Sequence, residues 1–171
     1  LIAAAKARPG QIGFAGSGSG STPHLAGELF NLLANVQAMG KAAKAGSADV
    51  FVSWLPLYHD MGLIASFVMP VMRSVPVVMM SPFEWVRAPV KLLQAISACK
   101  GTLCWLPNFA FDHLSRSVDL SRTDARLDTI RAFINCSEPC QALSFRRFAR
   151  TFAPIGLREI ALQVCYAMAE T

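Results

Sequence analysis

Two stretches carry residues whose types and spacing suit chemistry. In Ser53–Ile64, Ser-Trp-Leu-Pro-Leu-Tyr-His-Asp-Met-Gly-Leu-Ile, an imidazole (His59) adjoins a carboxylate (Asp60). Such a pair can hold or pass a proton near neutral pH. It can equally be structural, with Asp60 capping the next helix and His59 filling a polar gap. The second stretch is Gly16-Ser17-Gly18-Ser19-Gly20-Ser21-Thr22-Pro23. Its glycines let backbone amides converge, its hydroxyls can donate to an anion, and the helix that follows adds a positive N-terminal dipole. Alternating glycine and serine is also the composition of a flexible linker. The loop lacks the Gly-Lys-Ser/Thr ending in which a lysine neutralises terminal phosphates, and His24 stands nearby instead.

The elements that must position these residues read as alternating strands and helices. Val50, Phe51, Val52 and Trp54 form a short apolar strand that Pro56 limits, and Met61–Met69 begins a core helix. His59 and Asp60 therefore sit at a strand's exit, where open α/β sheets keep their ligand crevices. Upstream, a helix over 2–7 ends at Arg8-Pro9-Gly10, a strand follows over 11–15, and a long helix runs from about Pro23 to Ala43. Downstream, strands are expected over 75–80, 102–106, 129–135 and 160–165. Helices are expected over 89–99, with Val90, Leu93, Ile96 and Ser97 at helical spacing, and over 143–152. Phe109 and Phe111 are of the kind that most often fill a core, His113 falls on a helix, and the charged stretch 115–128 reads as a solvated connection. This order predicts an α/β fold with a mostly parallel sheet and flanking helices.

Composition narrows the classes. With 53% hydrophobic and 16% charged residues, the 171-residue chain can bury one core and is no disordered segment. The net charge of +5 is scattered except for Arg146, Arg147 and Arg150, a solvated helical face rather than a nucleic-acid footprint. Five cysteines without a Cys-x-x-Cys pair fit neither a disulfide framework nor a common zinc site. Cys99, Cys104, Cys136, Cys140 and Cys165 lie in apolar surroundings, which favours reduced thiols and a cytoplasmic location. Leu1–Arg8 is too short and too soon charged for a complete signal peptide. The apolar stretch 61–80 contains Arg73, Pro70 and Pro76, so a helix, a turn and a strand are expected there, not a membrane span.

Trp54-Leu55-Pro56-Leu57-Tyr58-His59-Asp60-Met61-Gly62-Leu63 resembles a motif of the adenylate-forming enzymes, most closely that of fatty-acyl-AMP ligases and long-chain acyl-CoA synthetases. Asn31–Asn35, Pro107-Asn108-Phe109-Ala110, Asn135-Cys136-Ser137-Glu138-Pro139 and the tail Tyr166–Thr171 are similar to further elements of that family. The resemblance implies that residues 31–171 are the central part of the family's large N-terminal domain, without its C-terminal lid domain. It implies ATP or AMP and Mg2+ as cofactors, a fatty acid as substrate, and an acyl carrier protein or CoA as acyl acceptor. Carried over, Glu170 is a catalytic residue and the metal ligand, and Tyr166, Ser137 and Glu138 border the adenine. Thr171 and the Ser17, Gly18, Ser19, Gly20, Ser21, Thr22 loop hold phosphates. His59 sits in the catalytic site at the carboxyl end of an acyl pocket that Phe109 or Phe111 contacts. Cys136 and Ala167 stand where the family has glycine.

Residues 1–30 are instead similar to the solute-binding receptors of tripartite tricarboxylate transporters, through Ala5-Lys6-Ala7-Arg8-Pro9-Gly10-Gln11-Ile12 and the Gly-Ser loop with its helix. This implies a composite chain with a junction between about Glu28 and Asn35. The expectation is a fragment inactive in adenylation by itself; the alternatives are a carboxylate-binding module and a fusion fragment without function.

Overall fold

The computed structural model describes Ala4, Ala7, Arg8, Gln11 and residues 17–166, so the helix expected over 2–7 and the strand over 11–15 fall mostly outside the described residues. Five strands form one parallel sheet: β1 (Phe51–Ser53), β2 (Val77–Met79), β3 (Leu103–Leu106), β4 (Ala132–Asn135) and β5 (Leu162–Val164). Their order is β2-β1-β3-β4-β5. Every residue of β1, β3 and β4 is buried, as a parallel strand covered on both faces requires. The chain leaves β1 for β2 on one side and returns to β3 on the other, which puts the topological switch point between β1 and β3.

Among the described residues α1 (Thr22–Ala42) precedes the sheet, and its strands are connected by α2 (Met61–Val68), α3 (Met69–Met72), α4 (Pro82–Arg87), α5 (Val90–Cys99), α6 (Asn108–Ser117) and α7 (Ala142–Phe152), with three short 3-10 helices besides. Helix α2 is π-wound, and the Ser66 hydroxyl donates back to the Met61 carbonyl five residues earlier. The expected helix, turn and strand over 61–80 are all present, and no helix of the described residues is long and apolar enough to cross a membrane.

Side chains alternate across the sheet. On one face, Phe133 meets Phe148 of α7 at 5.2 Å between ring centroids, and Phe148 meets Phe111 of α6 and Phe152. On the other, Phe51 stacks on Trp105 at 5.6 Å. Burying rings of this size is the main drive for folding, at roughly 25 cal/mol per Å² of apolar surface removed from water.

The helix expected over 89–99 is α5, whose buried face is Leu92, Leu93 and Ile96. Two expectations need correction. The stretch 115–128 is no solvated connection throughout: α6 runs to Ser117, Ala125 and Leu127 are buried, and the Leu127 amide donates to the Ile155 carbonyl. Its charges escape burial because Arg126 and Asp128 pair at the surface. Cys140 is exposed rather than in apolar surroundings, because it lies between the end of β4 and the start of α7.

The N-terminal edge of the sheet is tied by charge. Asp49, Thr102 and Arg131 stand just before β1, β3 and β4. The Thr102 hydroxyl donates to Asp49 at 2.7 Å, and Arg131 donates to both Asp49 oxygens at 3.1 and 2.8 Å. The same guanidinium reaches the Ala43 and Lys44 carbonyls, anchoring the end of α1. Burial alone would raise the Asp49 pKa; the hydrogen bonds from Arg131, Thr102 and the Gly46 amide, with the Arg131 charge, outweigh it and hold the carboxyl below its usual value.

Candidate functional site

The polar and reactive side chains gather at the opposite edge, beyond the C-terminal ends of the strands. After β1 the chain turns through Pro56 and enters α2 at Asp60. Asp60 Oδ1 accepts from the Met61 amide at 2.7 Å and lies 2.7 Å from His59 Nδ1, so the capping role is realised. Gly62 makes this entrance possible: a Cβ there would overlap the Pro56 carbonyl oxygen. After β4, Cys136 is buried and Ser137 adopts a left-handed φ of 71°, which turns the chain back over α2. The Ser137 hydroxyl reaches Met61 Sδ at 3.6 Å.

These two turns enclose a cleft of about 60 Å³ lined by Asn35 and Met39 of α1, Asp60, Met61 and Ile64, Trp105 of β3, and Cys136 with Ser137. The cleft is narrow inside and open at its rim. Trp105 lines the cleft, while its indole N–H is buried without a hydrogen-bond partner among the described residues. At the rim, the Cys165 amide donates to the Asn135 carbonyl at 2.9 Å, so Tyr166 leaves β5 directly beside the β4 turn. Its ring is 84% exposed.

A buried amide network holds the β4 turn. Asn135 donates to Asn108 Oδ1 at 3.0 Å, which also accepts from the Gln141 amide at 3.0 Å. Asn108 reaches Ser144, Ser144 donates to Asp112 at 2.7 Å, and Asp112 pairs with Arg147. Together these lock the exits of β3 and β4 to α6 and α7. Sequence reasoning missed the network; its signal was an asparagine at each of two neighbouring strand exits. Asn35, Met39 and Trp105 were missed as cleft residues because nothing in their spacing links them.

The predicted site residues divide. Asp60, Ser137 and Tyr166 lie around one cleft and its rim, with His59 against Asp60 at its border and half-exposed. Glu138 turns away: its carboxylate accepts from the Phe109 amide at 3.1 Å and caps α6. Phe109 is 48% exposed and sits edge-on to the stacked Trp54–Trp85 pair, so it can flank a ligand. Phe111 is fully buried between Phe145 and Phe148 on the far side of the sheet and is core, not a substrate contact.

The Ser17–Thr22 loop does not join the cleft. It sits at the N-terminus of α1, 13 residues before the cleft residue Asn35, or about 20 Å at 1.5 Å per residue. Its polar groups serve the helix itself: the Gly20 amide donates to His24 Nδ1, the Ser21 amide to the Gly18 carbonyl, and the Ser21 hydroxyl accepts from the His24 amide. Glu170 and Thr171 lie outside the described residues. Among the described residues, no group of three His, Cys, Asp or Glu side chains could hold a metal ion.

The profile of the AMP-binding enzyme family matches residues 24–171. The chain belongs to this family. The match begins inside α1, after the Gly-Ser loop and before the junction expected between Glu28 and Asn35, and α1 runs unbroken through that junction. The long-chain-fatty-acid–AMP ligase FadD26 of Mycobacterium bovis is 36% identical over 161 residues, and the medium-chain-fatty-acid–[acyl-carrier-protein] ligase JamA of Moorena producens 33% over 158. These alignments cover 89% and 90% of this chain but only 27% and 26% of the ligases, so the chain spans about a quarter of the length of its curated relatives. The crystal structure of the Legionella pneumophila fatty acyl-adenylate ligase with acyl adenylate and pyrophosphate superposes with a TM-score of 0.80 at 30% identity, over 82% of this chain and 25% of that one. The α/β fold is thus that of part of an AMP-binding enzyme's adenylation domain.

Proposed function

We propose that this chain is the adenine-and-acyl face of a fatty-acid-activating ligase, which joins a carboxylate to the α-phosphate of ATP, releases pyrophosphate, and passes the acyl group to CoA or an acyl carrier protein. The observation that carries this is the convergence, at the switch-point edge of the sheet, of the Asp60–Met61 turn, the Cys136–Ser137 turn and Tyr166. The family and the fatty-acid ligases among the relatives support it.

In this reading the Tyr166 ring and the Ser137 turn bracket the purine at the rim of the cleft. The exposed edge of Phe109 flanks the acyl chain over the Trp54–Trp85 stack. His59, fixed against Asp60, shapes the carboxyl end rather than acting as a general base, since its partner is already committed to the α2 amide. Glu170 would hold Mg2+, which offsets repulsion between the anionic acid and the triphosphate. Phosphate contacts are no longer assigned to the Ser17–Thr22 loop, which lies about 20 Å from the cleft by helix rise.

Calorimetry of the 171-residue chain tests the reading with AMP, a non-hydrolysable acyl-sulfamoyl adenosine and a dicarboxylate. The acyl-adenylate mimic should bind best, and Tyr166→Ala should weaken it by roughly tenfold, the worth of one base–aromatic stack. Dicarboxylate binding that ignores nucleotide would overturn the proposal in favour of a carboxylate-binding module.

A further inference from the structure

The register of β4 and β5 pairs Asn135 with Val164, and one step on it sets Cys136 opposite Cys165, with the Cys165 amide bonded to the Asn135 carbonyl. Directly opposed residues on adjacent strands lie about 4.8 Å apart and point to the same face, within the span a disulfide needs. Both thiols are free, each shifts the acidity of the other, and Cys165 Sγ lies 3.7 Å from the Tyr166 carbonyl oxygen. Cys136 also lines the cleft that admits water-sized molecules, whereas Cys165 is half-buried beside it. Cys140 is exposed, donates toward the Asn135 and Glu138 carbonyls, and does not line the cleft.

We propose that Cys136 and Cys165 form a peroxide-sensitive dithiol that closes into a cross-strand disulfide at the floor of the cleft. The Cys136 thiolate attacks one peroxide oxygen, the O–O bond breaks, and hydroxide leaves to be protonated to water. The Cys165 thiol then attacks the resulting sulfenic sulfur, the S–O bond breaks, and a second water leaves. Two thiols and one hydrogen peroxide thus give one disulfide and two waters. The acidity of the pair fits this order. The hydrogen bond from Cys165 lowers Cys136 most; burial opposes it, the Ser137 hydroxyl and amide assist, and Asp60 opposes, leaving Cys136 at about 6. That same hydrogen bond, with burial and the neighbouring Cys136 and Cys140 charges, raises Cys165. The buried Cys104, raised by desolvation with no relieving partner, remains a thiol throughout.

The test is non-reducing peptide mapping of the folded, reduced chain after hydrogen peroxide and alkylation of residual thiols. A peptide linked through Cys136 and Cys165, two hydrogens lighter than its parts, is expected. Cys140→Ser should leave its yield unchanged, and Cys165→Ser should abolish it while Cys136 becomes trappable by dimedone. If the serine variant fails to fold, the map of the unsubstituted chain still decides. A link through Cys140, independent oxidation of the two thiols, or Cys104 reacting as fast as Cys136 would overturn the proposal.

Discussion

The two edges of this sheet are built on opposite principles. At the N-terminal edge a carboxylate, a hydroxyl and a guanidinium from three adjacent strands satisfy one another and clamp α1, with Asp49 only 7% exposed. At the C-terminal edge the strand ends open into a cleft with a left-handed serine, a buried indole donor lacking a partner and two adjacent thiols. One edge has its polar groups paired within the protein; at the other, among the described residues, an indole N–H is left without a partner and two thiols stand together. The comparison separates scaffold from site without appeal to sequence similarity.

The sharpest way to break the comparison is Arg131→Ala. It takes away the Arg131 bonds to the Asp49 carboxylate and to the Ala43 and Lys44 carbonyls at once. Asp49 is buried but the Arg131 side chain is 36% exposed, so water screens part of the loss, and urea unfolding should show a cost of about 2 to 3 kcal/mol. Unchanged stability would mean that the N-terminal edge is no scaffold. Gly62→Ala attacks the other edge. Its Cβ must push on the Pro56 carbonyl, an overpacking strain of about 2 kcal/mol. Because the strain falls at the cleft turn, ligand affinity measured by calorimetry should fall further than Arg131→Ala lowers it, once both are compared as folded protein.

A titration sharpens the contrast. The Asp49 carboxyl is held below its usual 3.8, so the folded protein binds that proton less readily than the unfolded chain. Its contribution to stability is complete above the ordinary carboxylate range and is lost as pH falls through the lowered folded value. Unfolding midpoints followed from about pH 6 down to about pH 2 should therefore fall more steeply for the native chain than for Asp49→Asn, the two converging in acid. Parallel curves would remove Asp49 as the titrating group.

What was legible in the sequence was what is local. Short apolar runs marked all five strands, and the strand-helix alternation marked the parallel sheet. The cleft was legible only in part, because Ser137 is brought to the adjacent His59–Asp60 pair by the strand order and not by spacing along the chain. The Gly-Ser loop misled for a local reason: its amides look available in sequence, and the structure shows them turned onto His24 and Gly18. Phe109 and Phe111 could not be separated by pattern, since a helix turns residues two apart to opposite sides, one toward Trp85 and one into the core.

The smallest expected effect is at Glu138, which tests whether a residue at the site's edge belongs to the scaffold. Its carboxylate caps α6 through the Phe109 amide and was expected to border the adenine. Glu138→Ala removes the cap and should cost about 1 kcal/mol in urea unfolding, whereas Glu138→Gln keeps an acceptor oxygen and most of that stability. If Glu138 is scaffold, affinity for the acyl-adenylate mimic should stay within about twofold in the Gln variant, a difference below 0.5 kcal/mol. A larger loss there, with stability preserved, would return Glu138 to the nucleotide and move the boundary between scaffold and site one residue past Ser137.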